Sequence, residues 1–381
     1  MNINRSYLHN YSFIHVVKGL IVLLFLLNLS FPLFQMYFKI FHEIPNFEQR
    51  TLAPRPILSE ITLPGISTYM IRYTDFLKDN FGFRNELIRL NSLISFHLFK
   101  TSPVQQVVIG EKGWLYYNSG TDGVNLPDYY GQARFNSHEL ESMKIYFSKV
   151  KNTFTNYGIY FLVVLAPNKQ TIYPEFLPAN IRNMRGRITR ADQMAQIFRD
   201  LNIEFLDLRS PLLDAKKDFS FELYHKLGTH WNQLGGFIAY QKIMENIQKK
   251  YPAVRKLSIG EFQILNEKNS TDAGCAVFAG IRGTIPENNI ELHPISALNN
   301  HLSAEDYKQK YIECKGNDIN APKILFFRDS YLSAMVRYLA ESFSQSIFIW
   351  QRKIDFGYIE KEKPDIVILQ FAERYSGYVY F

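Results

Sequence analysis

The sequence predicts an α/β protein whose central sheet is mostly parallel and carries helices on both faces. Three continuous apolar runs, YFLVVLAP (160–167), KILFF (323–327) and DIVIL (365–369), have the length and composition of fully buried strands. Segments with helical apolar spacing separate them, and this alternation is typical of parallel sheets covered on both sides. The 381 residues, 46% of them hydrophobic, suffice for one large domain and a smaller appendage.

The N-terminal segment predicts a single transmembrane helix. Twenty uncharged residues, 19–38, lie between Lys18 and Lys39 and, as a helix, would span about 30 Å, one hydrocarbon thickness. Arg5 and Lys18 precede the span without any acidic residue, so residues 1–18 are expected in the cytoplasm and the rest beyond the membrane. A cleaved signal peptide is the alternative, but the apolar run is longer than usual and no small-x-small site follows it. We therefore expect an uncleaved anchor.

A linker and a helical stem are predicted over residues 39–104. Residues 46–65 are rich in proline and lack a helical period, which indicates an extended linker. Segments 67–80 and 84–100 have helical spacing, and Phe-Gly-Phe separates them. The globular domain, 105–381, is expected to begin near the strand-like VVIGEKGWLYY, which delivers Trp114.

The remaining elements continue the alternation of helix and strand. Ser137 is a plausible N-cap for the first helix of the domain. The region 267–322 has low regularity, and we interpret it as an insertion or lid. Further helices are predicted at 137–152, 188–200, after Asn232 and at 331–341, and further strands at 203–208 and 346–350.

Charge and motif content narrow the classes of function. A formal net charge of +7 suits an anionic polymer or a membrane surface, but no dense basic run with interleaved aromatic residues indicates nucleic acid. The phosphate-binding, dinucleotide-binding and zinc-protease motifs are absent, as is zinc-type Cys/His spacing, so neither a cofactor nor a metal is expected. Cys275 and Cys314 can form a disulfide or remain buried thiols, and both possibilities stay open.

Ser330 and His230 are the candidate nucleophile and base. Ser330 follows the strand at 323–327 and precedes a helix, which places its hydroxyl at the carboxyl edge of the sheet near free N–H groups that can hold an oxyanion. Asp329 and Ser330 are also preferred N-cap residues, so the pair can be purely structural. His230 lies just before the helix cap Asn232, where an imidazole can serve a serine as base. Its alternative role is a histidine held by local hydrogen bonds.

Three further charged residues follow predicted strands. Glu373 and Arg374 come just after the strand at 365–369, and if that strand neighbours the Ser330 strand, both charges lie near the serine. A surface ion pair is the alternative. Lys169 follows the strand at 160–167 and faces either the site or solvent. We keep these three and Asp329 as candidate supporting residues.

The order of these motifs resembles the alginate O-acetyltransferase AlgX/AlgJ family, with its SGNH hydrolase-like domain. The resemblance covers most of the chain from about residue 46, and it is the shared order of the motifs that carries it. Its segments are RTLAPRP (50–56), DNFGFRNELIRLNS (79–92), VVIGEKGWLYY (107–117), APNKQTIYPEFLP (166–178), THW (229–231), the Asp-Ser pair at 329–330 and PDIVILQFAERY (364–375).

The resemblance implies a circularly permuted SGNH hydrolase-like fold over residues 105–381, because in this family the histidine precedes the serine. Ser330 would correspond to the nucleophile and His230 to the base. The chain departs from the family where the triad carboxylate is expected, at Gly228, and where the family has a glycine before Asp-Ser, at Arg328. Loss of a triad carboxylate lowers turnover by roughly four orders of magnitude in serine hydrolases, while the rest of the site still contributes.

Glu373, Glu222 and Asp218, or a backbone carbonyl, are candidate partners for the imidazole in place of that carboxylate. The implied protein is a single-pass inner-membrane O-acetyltransferase that faces the periplasm and acetylates an exopolysaccharide through an acyl-serine. Its implied acetyl donor is a membrane-bound O-acyltransferase. Two alternatives remain open: a non-catalytic polysaccharide-binding or export-complex scaffold, and a polysaccharide acetyl esterase.

Overall fold

The computed structural model describes residues 4–44, 51–60, 65–118, 125–268, 273–298, 302 and 306–380. Parts of the predicted linker, 45–50 and 61–64, and parts of the predicted insertion or lid, 269–272, 299–301 and 303–305, lie outside the described residues. The chain divides into two compact units, Met1–Phe99 and Lys100–Phe381.

The first unit is helical. Helix α1 (Asn4–Phe38) is longer than the predicted span, and its segment His15–Phe38 has a mean hydropathy of 2.2 with apolar side chains exposed. This segment is long and apolar enough to cross a membrane, a property that signal sequences share. Helices α2 (Ile66–Asn80) and α3 (Arg84–Ile94) follow, and the left-handed backbone of Phe83 separates them at the predicted Phe-Gly-Phe break.

The second unit is built on a central sheet with strand order β4-β3-β10-β8-β9-β7. Neighbouring strands are parallel except at the edge, where β7 runs antiparallel to β9. The strands of this sheet are β3 (Tyr160–Ala166), β4 (Glu204–Asp207), β7 (Tyr311–Lys315), β8 (Lys323–Arg328), β9 (Gln345–Trp350) and β10 (Ile366–Ala372). Two antiparallel two-stranded sheets stand outside it: β1 (Val107–Ile109) with β2 (Leu115–Tyr117), and β5 (Phe262–Lys268) with β6 (Asn288–Pro294).

Helices cover both faces of the sheet. Alternate residues of β3 belong to different apolar clusters: Leu162 and Val164 share one with α10, whereas Val163 and Leu165 share the other with α5 and α8. This confirms the predicted α/β fold class, since a strand buried on both faces has to be apolar throughout. The helices of this unit are α4 (Leu126–Tyr129), α5 (Ser137–Asn156), α6 (Lys169–Ile172), α7 (Ala179–Arg182), α8 (Arg190–Asp200), α9 (Arg209–Asp218), α10 (Gln233–Gln248), α11 (Gly274–Phe278), α12 (Val336–Leu339) and α13 (Phe356–Glu362).

Three local predictions need correction. The region 267–322 is more regular than expected, because it contains β6, α11 and the edge strand β7 of the central sheet. The helix predicted at 331–341 is instead a 3₁₀ segment, Ser330–Ala334, followed by the short α12. The N-cap of α5 is Asn136, whose side chain accepts from the Glu139 N–H.

The two cysteines do not form a disulfide. Cys275, in α11, and Cys314, in β7, are both buried free thiols. Burial raises the pKa of Cys314 to about 11, so this thiol stays protonated near neutral pH. Of the two possibilities left open by the sequence, the structure has the free thiols.

Candidate active site

Ser330 and His230 meet at the carboxyl edge of the sheet. Ser330 begins the 3₁₀ segment just after β8, and its Oγ lies 2.8 Å from Nε2 of His230. The other ring nitrogen, Nδ1, lies 3.1 Å from Oγ1 of Thr229. Thr229 Oγ1 also lies 3.5 Å from Nε2, so it is beside the ring and not in line with the Nδ1–H bond. An imidazole with its proton on Nδ1 can accept the serine proton at Nε2. This is the hydrogen-bond geometry that a serine nucleophile and its general base require.

Asp329 fixes the turn that carries the serine. It is buried, and its Oδ1 accepts from the Tyr331 N–H and from Nε2 of Gln370, at 2.9 and 3.0 Å. Its Oδ2 accepts from the Ala372 N–H at 2.6 Å. These bonds join the end of β8 to the end of β10. The carboxylate therefore stabilises the backbone beside Ser330, which is a positioning role.

Aromatic side chains connect the turn that carries Ser330 (residues 329–333, the serine turn) to the loop that carries His230 (residues 225–231, the histidine loop). The Tyr331 hydroxyl donates to the carbonyl of Thr229 at 2.9 Å, and Nε1 of Trp231 donates to the carbonyl of Tyr331 at 2.9 Å. The rings of His230 and Tyr331 lie edge to face with centroids 5.0 Å apart. Residues a hundred positions apart in the chain thus fix each other, because each segment supplies both a donor and an acceptor to the other.

Lys169 holds the histidine loop from below the site. Its ammonium group is buried and donates to the carbonyls of His225, Lys226 and Gly228, at 2.9, 3.1 and 2.5 Å. Nζ also lies 5.5 Å from the ring centroid of Trp114. Three carbonyl oxygens on one cation fix the course of the loop just before the imidazole. Lys169 was expected to face either the site or solvent, and its side chain faces the site.

The carboxylates considered as substitutes at the histidine occupy other environments. Glu373 is buried, and its Oε2 accepts from the Asn168 N–H at 2.9 Å and from the Thr171 hydroxyl at 2.6 Å. Burial raises the pKa of Glu373, against the opposing effects of Arg209 and these two hydrogen bonds. Glu222 and Asp218 are exposed. The Thr229 hydroxyl, which is neutral, lies 3.1 Å from Nδ1 of the imidazole.

A cavity of about 310 Å³ opens at Ser330 and His230, and we call it the serine cavity. Its walls combine two arginines with aromatic rings: Arg352, Arg374, Tyr117, Phe278, Trp350 and Tyr375. The guanidinium carbon of Arg352 lies 3.9 Å from the centroid of the Tyr375 ring. The serine cavity can therefore offer a positive potential and flat apolar surfaces to a ligand.

Arg374 remains charged in this cavity although it is almost completely buried. Burial favours the neutral guanidine, but Tyr331, Tyr375 and the Asp329 carboxylate outweigh it, so the pKa of Arg374 is raised above its usual value. Its Nη1 donates to the Tyr331 hydroxyl at 3.4 Å. Because β10 pairs with β8, Glu373 and Arg374 both follow a strand next to the serine strand, yet only Arg374 lines the serine cavity.

Arg328 lies at the position where the family that this sequence resembles has glycine. Its side chain is fully buried, its guanidinium carbon lies 4.1 Å from the Trp350 ring centroid, and its Nη1 donates to the Ser333 hydroxyl at 2.9 Å. Burial lowers its pKa to about 10, which still leaves it charged at neutral pH. Arg328 thus packs against a wall of the serine cavity and braces the turn of Ser330.

One group of described residues has metal-ligand geometry away from this site. Ligand atoms of Glu267, Glu291 and His293, on the two-stranded β5–β6 sheet, lie within 4.8 Å of one another. The His293 ring is 3.2 Å from the Glu291 carboxylate and about half exposed. Exposed acidic groups of this kind commonly bind no ion, so we assign no metal to them.

Sequence reasoning missed several residues that shape the site. Thr229 and Tyr331 are neighbours of the predicted pair in the chain, but their hydrogen bonds depend on how two distant segments pack. Arg352 follows β9, and its position after a strand of the sheet is a signal that could have found it. Gln370 lies inside an apolar strand, where a polar side chain needs a partner, and here that partner is Asp329.

The sheet order, the covered faces and the serine–histidine pair at the carboxyl edge define an SGNH-like α/β domain. Residues 107–284 match the family model described as the SGNH hydrolase-like domain of the acetyltransferase AlgX. The predicted resemblance to the AlgX/AlgJ family is thereby confirmed. The matched segment includes His230 and ends before Ser330. A comparison with curated proteins gave no match.

Solved structures share the fold at low sequence identity. Bacillus cereus PatB1 is 16% identical, with 71% of this chain and 96% of PatB1 covered, at a TM-score of 0.51. The same protein with a sulfonyl adduct has a TM-score of 0.52, with 16% identity and 71% and 97% of the two chains covered. The O-acetyltransferase domain of Pseudomonas putida AlgJ is 17% identical over 72% of this chain and 93% of that domain, with a TM-score of 0.44.

Proposed function

We propose that this chain is an O-acetyltransferase that acetylates an alginate-type exopolysaccharide through an acyl-serine at Ser330. The distance of 2.8 Å between Ser330 Oγ and His230 Nε2 carries the proposal, because it places a base on the hydroxyl that must become a nucleophile. The match of residues 107–284 to the AlgX acetyltransferase domain supports the same reaction class.

The first half-reaction would load the serine. His230 Nε2 takes the proton of Ser330 as Oγ forms a bond to the acetyl carbonyl carbon. The bond from that carbon to the donor's leaving group then breaks, and the leaving group takes the proton back from the imidazolium. The Nε2 atom must be unprotonated at the start of this step, which requires the imidazole proton to be on Nδ1.

The second half-reaction would transfer the acetyl group to a sugar hydroxyl. His230 takes the proton of that hydroxyl while the sugar oxygen forms a bond to the acyl-serine carbonyl carbon. The bond from that carbon to Ser330 Oγ then breaks, and the imidazolium returns the proton to Oγ. Arg352 and Arg374 in the serine cavity suit an acidic sugar, and the aromatic side chains can pack on the apolar faces of its ring. The cavity thus suits an acidic polysaccharide as acceptor.

Membrane anchoring and an external donor are further parts of this proposal. The apolar segment His15–Phe38 would hold the chain in the inner membrane with its α/β domain in the periplasm. A membrane-bound O-acyltransferase, which the resemblance implies, would then deliver acetyl from the other side of the bilayer. A cleaved signal peptide would contradict the anchor, and the N-terminal sequence of the protein purified from membranes distinguishes the two.

The test of the reaction is the acetyl adduct itself. We expect the full chain in detergent, incubated with 4-nitrophenyl acetate, to gain one acetyl group by intact mass, and Ser330→Ala to abolish the gain. Ser220→Ala is the matched control, because it removes an exposed serine hydroxyl outside the turn of Ser330. Since PatB1 has been solved with a sulfonyl adduct, an aryl sulfonyl fluoride is a second probe of Ser330.

Residue 228 is glycine, so the chain lacks the triad carboxylate expected there. This favours one alternative function, that of a non-catalytic polysaccharide-binding or scaffold protein. That rival predicts no adduct on the wild-type chain with either probe, and such a result would overturn the enzymatic proposal. An acetyl esterase would load the serine equally well. Release of acetate that an added alginate oligosaccharide does not reduce would identify an esterase, whereas acetylated oligosaccharide would identify a transferase.

A further inference from the structure

A second cavity lies at the same sheet edge, and three buried side chains leave polar atoms unpaired in its wall. The cavity measures about 200 Å³, and we call it the amide cavity. Asn125, Tyr129 and Asn168 line it and are 2%, 5% and 3% exposed. Among the residues that the structure describes, Asn125 Nδ2, Tyr129 Oη and Asn168 Oδ1 have no hydrogen-bond partner. Buried polar groups are almost always paired, so three exceptions on one cavity point to a ligand.

The amide cavity neighbours the serine cavity along the edge of the sheet. Asn168 follows β3, Arg209 follows β4 and Glu373 follows β10, and all three line the amide cavity. The next residue, Arg374, lines the serine cavity beside Ser330, which follows β8. Because β10 separates β3 from β8 in the sheet, the Asn168 and Ser330 strands are roughly 10 Å apart, twice the spacing of neighbouring strands.

The lining identifies the chemistry of the ligand. The cavity offers an amide donor at Asn125, an acceptor at Asn168 and a hydroxyl at Tyr129, none of which has a partner among the described residues. Asp192 and Arg209 in the lining pair with each other, and the two other carboxyl groups are those of Asp128 and Glu373. A simple anion would face those two carboxyl groups, and a simple cation would leave the Asn125 donor unpaired. A ligand with several hydroxyls satisfies both kinds of group, because each hydroxyl donates one hydrogen bond and accepts others.

The size of the amide cavity and the charge at its rim restrict the class of ligand further. Pockets for drug-sized ligands usually exceed about 300 Å³, so this cavity suits a single small ring. Arg185 and Arg187 are exposed and line the cavity at its solvent side. A carboxylate carried by the ring could therefore lie at these arginines, away from Asp128 and Glu373.

We propose that the amide cavity is an acceptor subsite that binds one sugar ring of the polysaccharide while another ring of the same chain lies at Ser330. This inference rests on the proposed function. A subsite roughly 10 Å from the nucleophile gives a polymer a second point of attachment, and this second contact fixes which part of the chain reaches the acyl-serine.

Tyr129→Phe is the variant that tests the subsite, because it removes only an oxygen that has no partner among the described residues. We expect the full chain in detergent to bind an alginate hexasaccharide about 3- to 10-fold more weakly after this change, as for the loss of one hydrogen bond. The melting temperature should not fall. Tyr130→Phe is the matched control, since it removes a neighbouring hydroxyl from a residue that does not line the cavity, and it should bind as the wild type does.

Isothermal titration of the three proteins with the hexasaccharide gives a direct answer. Weaker binding by Tyr129→Phe alone supports the subsite. Equal affinity of the wild type and Tyr129→Phe overturns it and leaves a cavity that holds water only. The acetyl adduct on wild-type Ser330 is measured separately, so a failed subsite with an intact adduct leaves the proposed function standing, whereas a missing adduct removes the proposed function itself.

Discussion

The serine cavity and the amide cavity lie next to each other at one sheet edge, but their polar groups are arranged in opposite ways. In the serine cavity, His230 is hydrogen-bonded to Ser330, Tyr331 donates to the Thr229 carbonyl, and Asp329 braces the turn beneath them. In the amide cavity, Asn125 and two other buried side chains have polar atoms without a partner among the described residues. The first arrangement is organised for a reaction within the protein, whereas the second is organised to receive hydrogen bonds from outside it.

The charged side chains of the two cavities also differ. Arg352 and Arg374 line the serine cavity, whereas the amide cavity has carboxyl groups inside, of Asp128 and Glu373, and arginines at its solvent side, Arg185 and Arg187. The boundary falls between two consecutive residues, Glu373 and Arg374, at the end of the central strand β10. A strand end can thus supply two neighbouring sites, because successive side chains leave the backbone in different directions.

The largest predicted effect concerns His230. Replacing it by Gln removes the base from Ser330, so we expect acetylation of the serine by 4-nitrophenyl acetate to slow by roughly 10³- to 10⁴-fold. The measurement is the rate of nitrophenol release in a single turnover, with intact mass as confirmation. His138→Gln changes an exposed histidine at the start of α5 and should react at the wild-type rate. If His230→Gln reacts at a rate within tenfold of the wild type, His230 is not the base for Ser330, and the proposed reaction in the serine cavity is wrong.

Replacement of Lys169 should give the next largest effect. Lys169 acts on the reaction indirectly, because it positions the loop that carries His230. Lys169→Met leaves the carbonyls of the histidine loop without their cation, which should cost about 2–5 kcal/mol of stability and slow serine acetylation at least about tenfold. Thermal denaturation and the nitrophenol assay measure the two losses. Lys217→Met is the control, because that exposed lysine pairs with the exposed Asp214, and stability and rate should stay at the wild-type level. If Lys169→Met has the stability and the rate of the wild type, the conformation of the histidine loop does not depend on Lys169.

The sequence predicted the sheet and the proximity of Ser330 and His230 because both depend on local patterns. Apolar runs identify buried strands, and Ser330 and His230 stand next to strand and helix ends that any such sheet brings to one edge. The edge strand β7 was missed because its five residues alternate between buried and exposed, a signal too short to distinguish from a loop.

The supporting contacts of the site could not be predicted, because they join segments far apart in the chain. Lys169 donates to carbonyls more than fifty residues away, and a backbone acceptor leaves no trace in the residue type. The absence of a carboxylate at Gly228 was visible in the sequence. That Thr229 lies at Nδ1 of the imidazole depends on the packing of Tyr331 against its carbonyl, which only the structure provides.

The smallest predicted effect tests the amide cavity through the pH dependence of stability. Burial raises the pKa of Asp128 to about 7, and Glu373 and Asp192 add to the shift while the Arg190 N–H opposes it. Between about pH 4 and pH 7 the folded chain therefore keeps a proton that the unfolded chain has released. This stabilising contribution is complete below the unfolded pKa, and it is lost as the pH rises to about 7, at no more than about 1.4 kcal/mol per pH unit.

Asp128→Asn removes this titration, since the amide oxygen can still accept from the Arg190 N–H. We expect its melting temperature to depend less on pH than that of the wild type, and to exceed it by a few degrees at pH 8. Asp214→Asn is a control of opposite sign, because the Lys217 hydrogen bond lowers the pKa of the exposed Asp214 and its small contribution is lost as the pH falls. Parallel pH profiles for Asp128→Asn and the wild type would mean that Asp128 is already ionised in the folded protein. The amide cavity would then hold a fixed negative charge, and a sugar carboxylate would be excluded from its interior.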